Sequence, residues 1–111
     1  MLGVKDKGII LQIIKRCNRI IDKILKITIE KFNNDEDLKE IICFNLFQIG
    51  ELANGLSVEL LKEYDQIPWK QIIGMRNRIV HGYDLINLEI VWNTASVSIP
   101  ILRNYCESIL N

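Results

Sequence analysis

The feature that most constrains this chain is the spacing of its apolar residues over the first segment. Ile10, Ile13, Ile14, Cys17, Ile20, Ile21, Ile24 and Leu25, with Thr28 closing the series, recur at intervals of three and four. That spacing lines one face of an α-helix and cannot line one face of a strand. It predicts a helix from about Asp6 to Lys31. Isoleucine is β-branched and a poor intrinsic helix former, so burial of the stripe, not propensity, must hold the segment helical. Such a helix needs partners that cover its apolar face.

The rest of the chain supplies them. NNDED, from Asn33 to Asp37, ends the first helix and offers an N-cap and first-turn acids for the next. The second carries Leu38, Ile41, Ile42, Asn45, Leu46, Ile49, Leu52 and Ala53 on one face and stops at Asn54-Gly55, where glycine suits a left-handed C-cap. Ser57 caps a short helix through VELLKEY, and Pro68 opens PWKQIIGMRNRIVHGY, since proline is tolerated at the first helical position. The last helix runs from an Asn87 N-cap to about Leu110, with Val91, Ala95, Ile99, Leu102, Cys106, Ile109 and Leu110 facing inward. Pro100 should bend it, because its ring clashes with the Ser96 carbonyl. No repeat, linker or strand pattern interrupts this series. The expected fold is an all-α, up-and-down bundle of about five helices forming one domain over residues 1–111.

A domain of this length buries about two thirds of its unfolded surface, which leaves little material for a deep cleft. A site should be shallow, or shared with another chain. Cys17, Cys43 and Cys106 are scattered, odd in number and set in apolar runs. They read as buried and inert, without a disulfide framework or a metal site, which points to a reducing compartment. The longest apolar run, GIILQII, is broken by Gln12 and followed by Lys15, Arg16 and Arg19. It is too short and polar for a membrane span and does not resemble a signal peptide, so a cytoplasmic protein is expected.

Net charge is zero but unevenly spread. Residues 1–31 hold eight Lys or Arg against three Asp or Glu, and the remainder reverses the balance. Lys15, Arg19, Lys23 and Lys26 form one helical stripe, read as a solvated face opposite the core, with a surface for an acidic partner as the alternative.

RNRIVHGYD, from Arg76 to Asp84, holds the single histidine, and no acid lies between positions 66 and 83. Arginine offers a permanent cation with forked donors that match phosphate oxygens, and histidine exchanges a proton near neutral pH. Together they suit phosphodiester chemistry, in which a base takes a 2′-hydroxyl proton, an acid protonates the leaving 5′ oxygen and a cation steadies the phosphorus oxygens. On a helix, Arg76, Asn77, Val80 and His81 span an arc of about 140°, so that Arg76 and His81 can flank one groove and Asn77 can bond to His81. Arg76, Arg78 and Lys70 would form its phosphate-facing edge. The direction of Tyr83 stays open, because Gly82 lets the backbone unwind. Ile72, Ile73, Met75, Ile79 and Val80 spread round more than one side of this helix, more than one core contact requires, so part of it should be buried against a twin subunit.

Over nearly its whole length the chain resembles the HepT-like proteins of the HEPN superfamily, ribonuclease toxins of prokaryotic toxin–antitoxin pairs. The resemblance rests on IIKRCNRI, QIGELANGLS from Gln48 to Ser57, IPWKQIIGMRNRIVHGYD from Ile67 to Asp84, and LEIVWNT followed by IPILRNYCESIL. The family pattern of arginine, four residues, histidine, one residue and tyrosine is met by Arg76, His81 and Tyr83. The resemblance implies a HEPN-like bundle and a metal-independent endoribonuclease without cofactor. Arg76 and His81 would be the catalytic pair and Asn77 a polar helper; Lys70 and Arg78 are expected as RNA contacts from their charge in the acid-free stretch, not from the resemblance. A homodimer would bring two copies of the motif to one cleft, and a cognate nucleotidyltransferase antitoxin would silence the toxin by adding AMP to Tyr83. A different reading from the same resemblance is a non-catalytic HEPN subunit that docks a nucleotidyltransferase. Trp69 and Trp92 read as core or interface aromatics, and Glu51 either pairs with an arginine of the motif or is an exposed carboxylate.

Overall fold

Burial of the isoleucine stripe organises the molecule. The computed structural model describes residues 2–82 and 87–111. Helix α1 (Val4–Ile24) turns Ile10, Ile13, Cys17, Ile20 and Ile24 inward. It ends at Ile24, not Lys31, and the reason is Thr28. That residue is extended (φ −99°, ψ 167°), and its hydroxyl accepts from the Lys31 N–H at 3.2 Å, starting the short α2 (Ile29–Asn33). A hydroxyl that can cap a new helix competes with continuation of the old one. Leu25, expected inside, is therefore exposed, and Lys26 lies past the end of α1.

Asp35 caps α3 (Glu36–Asn54) by accepting from Leu38 N–H at 3.0 Å. Most of the apolar face of α3 is buried as expected, but Ile41 is exposed. The helix does stop at Asn54-Gly55. Gly55 is right-handed (φ −92°, ψ −3°), however, and not the left-handed cap expected. Three-residue bonds, Gly55 N–H to Leu52 and Leu56 N–H to Ala53 at 3.0 and 3.1 Å, close this end without a positive φ. Ser57 caps α4 (Val58–Glu63) by accepting from Leu60 N–H at 3.2 Å. Its own N–H and hydroxyl go to Asp6 at 3.0 and 2.6 Å, tying the start of α1 to α4.

Pro68 stands immediately before α5 (Trp69–Gly82), its carbonyl accepting from the Gln71 and Ile72 N–H groups. Asn87 caps α6 (Leu88–Asn93) through its side-chain oxygen, which lies 2.9 Å from the Glu89 nitrogen. A π turn at Thr94–Ser98 then leads into α7 (Ile99–Leu110). Pro100 has no N–H to return to the preceding turn, and the helix widens just before it: Ile99 N–H bonds Thr94, five residues back. The Thr94 and Ser96 hydroxyls donate to the carbonyls of Ile90 and Trp92 at 2.8 and 2.7 Å. Taking α6, the π turn and α7 as one interrupted helix, the described residues hold six helices where about five were expected. The addition is α2. No strand occurs among the described residues.

Helix α3 packs between α1 and α5, and α1 between α3 and α7. One apolar cluster runs through these contacts. Both tryptophans serve it. Trp69 is buried and donates Nε1–H to the Tyr64 carbonyl at 3.1 Å, and Trp92 stacks obliquely on Phe32 with ring centres 5.4 Å apart. Cys17, Cys43 and Cys106 are buried free thiols, as expected. Burial pushes Cys17 and Cys106 up to about 12 and Cys43 to about 11. No helix among the described residues is long and apolar enough to cross a membrane.

Candidate functional site

The motif helix is only partly covered. Among the residues of α5 only Trp69 is fully buried, because its main partner is α3. Ile72, Ile73, Met75 and Ile79 are half-buried at the edge of the core, and Val80 is exposed.

Arg76 leaves α5 on the side that faces α3, and a glycine makes room for it. A Cβ built on Gly50 would meet Arg76 Cβ at 2.5 Å and the Ile72 carbonyl oxygen at 3.1 Å. Ordinary side chains do not approach so closely, so α3 and α5 reach this separation only because position 50 has no side chain. The next residue, Glu51, accepts a hydrogen bond from Arg76 Nε and forms an ion pair with it. The open alternative for Glu51 thus resolves: it is an exposed carboxylate and it pairs with the motif arginine. Arg76 Nη1 donates to the Asn77 side-chain oxygen at 2.7 Å. Asn77 therefore serves Arg76; no bond joins it to His81 among the described residues.

His81 is exposed in the last turn of α5. A groove of about 690 Å³ runs between α5 and α7, floored by apolar groups such as Leu46, Met75 and Leu102. Lys70 and Arg78 line it, but Arg76 and His81 do not. The expected common edge of Lys70, Arg76 and Arg78 is thus split, because Arg76 points to α3 while the other two border the groove. Tyr83, the expected modification site, lies outside the described residues.

Sequence reasoning missed Gly50. The available signal was an isolated glycine inside a helical pattern, a position that costs helix stability and so suggests a packing reason, although Gly74 carries the same signal with nothing within 4 Å of it.

A sequence model described as ribonuclease HepT-like matches residues 10–109. The chain belongs to this family. It is 33% identical over 98 residues, covering 88% of each chain, to a "Putative RNase" of Caldanaerobacter subterraneus subsp. tengcongensis. A "Putative RNase" of Methanocaldococcus jannaschii is 28% identical over 85% of this chain and 78% of its own. A protein of Thermococcus cleftensis named "Probable ribonuclease HepT" is 24% identical over 73% of this chain and 82% of its own. No solved structure matches the chain.

Proposed function

We propose that this chain is a metal-independent endoribonuclease, the toxin of a prokaryotic toxin–antitoxin pair, acting as a homodimer. The observation that carries the reading is a ribonuclease HepT-like chain in which one half-covered helix presents a restrained Arg76 and an exposed His81. In the reaction, one imidazole takes the 2′-hydroxyl proton, a second protonates the leaving 5′ oxygen, and the Arg76 guanidinium steadies charge on the phosphorus oxygens. Each chain holds one histidine, so acid and base come from two copies of His81 related by a twofold axis. The uncovered apolar groups of α5 and its neighbours supply the contact between copies. Lys70 and Arg78 hold the RNA backbone. A nucleotidyltransferase antitoxin silences the pair by adding AMP to Tyr83, which sets a phosphodiester charge and a base beside the histidine.

The test is cleavage of RNA in EDTA by the purified protein and by His81→Ala. Cleavage that disappears in the variant supports the enzyme. Equal traces from both proteins would mark contamination and leave a HEPN subunit that docks a nucleotidyltransferase without cutting RNA.

A further inference from the structure

We propose that Glu51, on α3, is a positioning residue for the Arg76 guanidinium; this rests on the reading of Arg76 as the cation that acts on the scissile phosphate. Three contacts fix that side chain. Its Cβ lies against the bare backbone of Gly50, its Nε donates to Glu51, and its Nη1 donates to Asn77. The first two come from α3 and the third from α5 itself, so the orientation of the guanidinium is tied to the packing of two helices.

The remaining nitrogen, Nη2, has no partner among the described residues. An arginine left to itself samples many rotamers, and ordering it on an incoming phosphate costs conformational entropy. Held at Nε and Nη1, it has met most of that cost before RNA arrives, and the second Nη1 donor and both Nη2 donors are left for phosphorus oxygens. Preorganised donors aimed at developing charge are worth more than mobile ones.

Stability does not account for the pair. The Arg76 and Glu51 side chains are 36% and 41% exposed, and ion pairs so open to water add little to folding. A carboxylate beside a phosphate site is also repulsive in itself, so its presence calls for a compensating role. Orientation of the guanidinium supplies one.

The experiment measures kcat and KM for RNA cleavage by the parent, Arg76→Ala, Glu51→Ala and Glu51→Gln. If Arg76→Ala cleaves as fast as the parent, the catalytic reading of Arg76 falls and this role falls with it. If Arg76→Ala is inactive, Glu51→Ala is expected to lower kcat by about 10- to 100-fold with KM nearly unchanged, the cost typical of a misplaced catalytic group. Glu51→Gln keeps an oxygen that accepts from Nε–H and is expected to recover most of that loss. A Glu51→Ala enzyme with parental kcat, or a loss that Gln does not relieve, overturns the positioning role and leaves that of Arg76 standing. Should Glu51→Ala not fold, Glu51→Asp carries the same comparison: it keeps the charge but shortens the reach. Parental kcat in that variant overturns the role, and a lowered kcat at unchanged KM supports it.

Discussion

Gly50 and Arg76 share a space that admits only one Cβ. A methyl on Gly50 would sit 2.5 Å from Arg76 Cβ, and that atom is anchored to the α5 backbone and cannot swing aside. Alanine gains about 1 kcal/mol over glycine in a helix interior. Overpacking a close contact costs about 1–3 kcal/mol, and here the second obstacle is the Ile72 carbonyl, which is backbone. Gly50→Ala should therefore lower the urea midpoint by a modest amount with an unchanged m-value. It should lower RNA cleavage more than stability, because α5 is displaced together with Arg76. Urea titrations beside cleavage rates check it; equal stability and equal rate would show that the two helices adapt freely.

Long apolar periods were legible, and what they missed has local causes. The inward set of α7 follows from the spacing of Ile99, Leu102, Cys106 and Ile109 alone, and the caps at Asp35, Ser57 and Asn87 follow from residue type. The end of α1 is not legible in the spacing, because Thr28 fits the stripe by position while its hydroxyl begins α2. For the candidate site, the motif located Arg76, Asn77 and His81 on one helix. Which way each points was not legible, because that depends on which side of α5 meets α3. The glycine that decides it lies in another helix, outside the motif.

The buried thiols make a prediction about alkali. Burial raises the folded-state values of Cys17, Cys43 and Cys106 above the ordinary 9.0, so the folded chain holds protons that the unfolded chain releases first. Their contribution is intact below about pH 9 and is lost as pH rises toward the folded values. Urea midpoints measured from about pH 8 to about pH 11 should fall for the parent and fall less steeply for Cys106→Ala, whose starting stability is lower because of the cavity it leaves. Parallel slopes would remove the thiols from the account. Thiol reagents should react slowly with the folded chain near pH 8 and rapidly after denaturation.

The uncovered side of α5 predicts assembly. Val80 is 54% exposed in the single chain, and Ile90 and Ile101 are exposed as well. Light scattering at micromolar concentration should give twice the 12.9 kDa mass of the chain. Val80→Glu should give the single-chain mass with its helical spectrum intact, since a charge at an exposed position costs the fold little but is expensive at a buried contact. RNA cleavage should be lost with the dimer. A parent protein of 12.9 kDa would sink both the shared site and the pairing of two histidines.

The proposed modification of Tyr83 predicts a specific failure of regulation. An AMP group there would bring a phosphodiester charge and a base to the end of the motif, where it should repel RNA and occupy the position of the scissile phosphate. With its cognate transferase and ATP, the parent protein should gain one adenylyl mass and lose cleavage, and Tyr83→Phe should gain nothing and remain active. A Tyr83→Phe protein that the transferase still modifies and silences would place the regulatory site elsewhere.

The division of basic residues between two sides of α5 predicts that they fail differently. Lys70 and Arg78 border the groove, whereas Arg76 is turned to α3 and restrained by Glu51 and Asn77. Each phosphate neutralised by a lysine or arginine releases a counterion, so RNA binding should weaken steeply with salt. Lys70→Ala and Arg78→Ala should each weaken binding and make the dependence of log K on log salt shallower by about one contact, with the cleavage rate of bound RNA little changed. Arg76→Ala should do the reverse: binding and its salt slope stay near those of the parent, because one contact is lost at most, while single-turnover cleavage falls by at least about 100-fold, the scale of losing a group that stabilises transition-state charge. Titrations at three salt concentrations, paired with single-turnover rates, separate the two classes. If Arg76→Ala lost binding and rate in proportion, Arg76 would be one more backbone contact, and the chemistry assigned to it would have to come from another group.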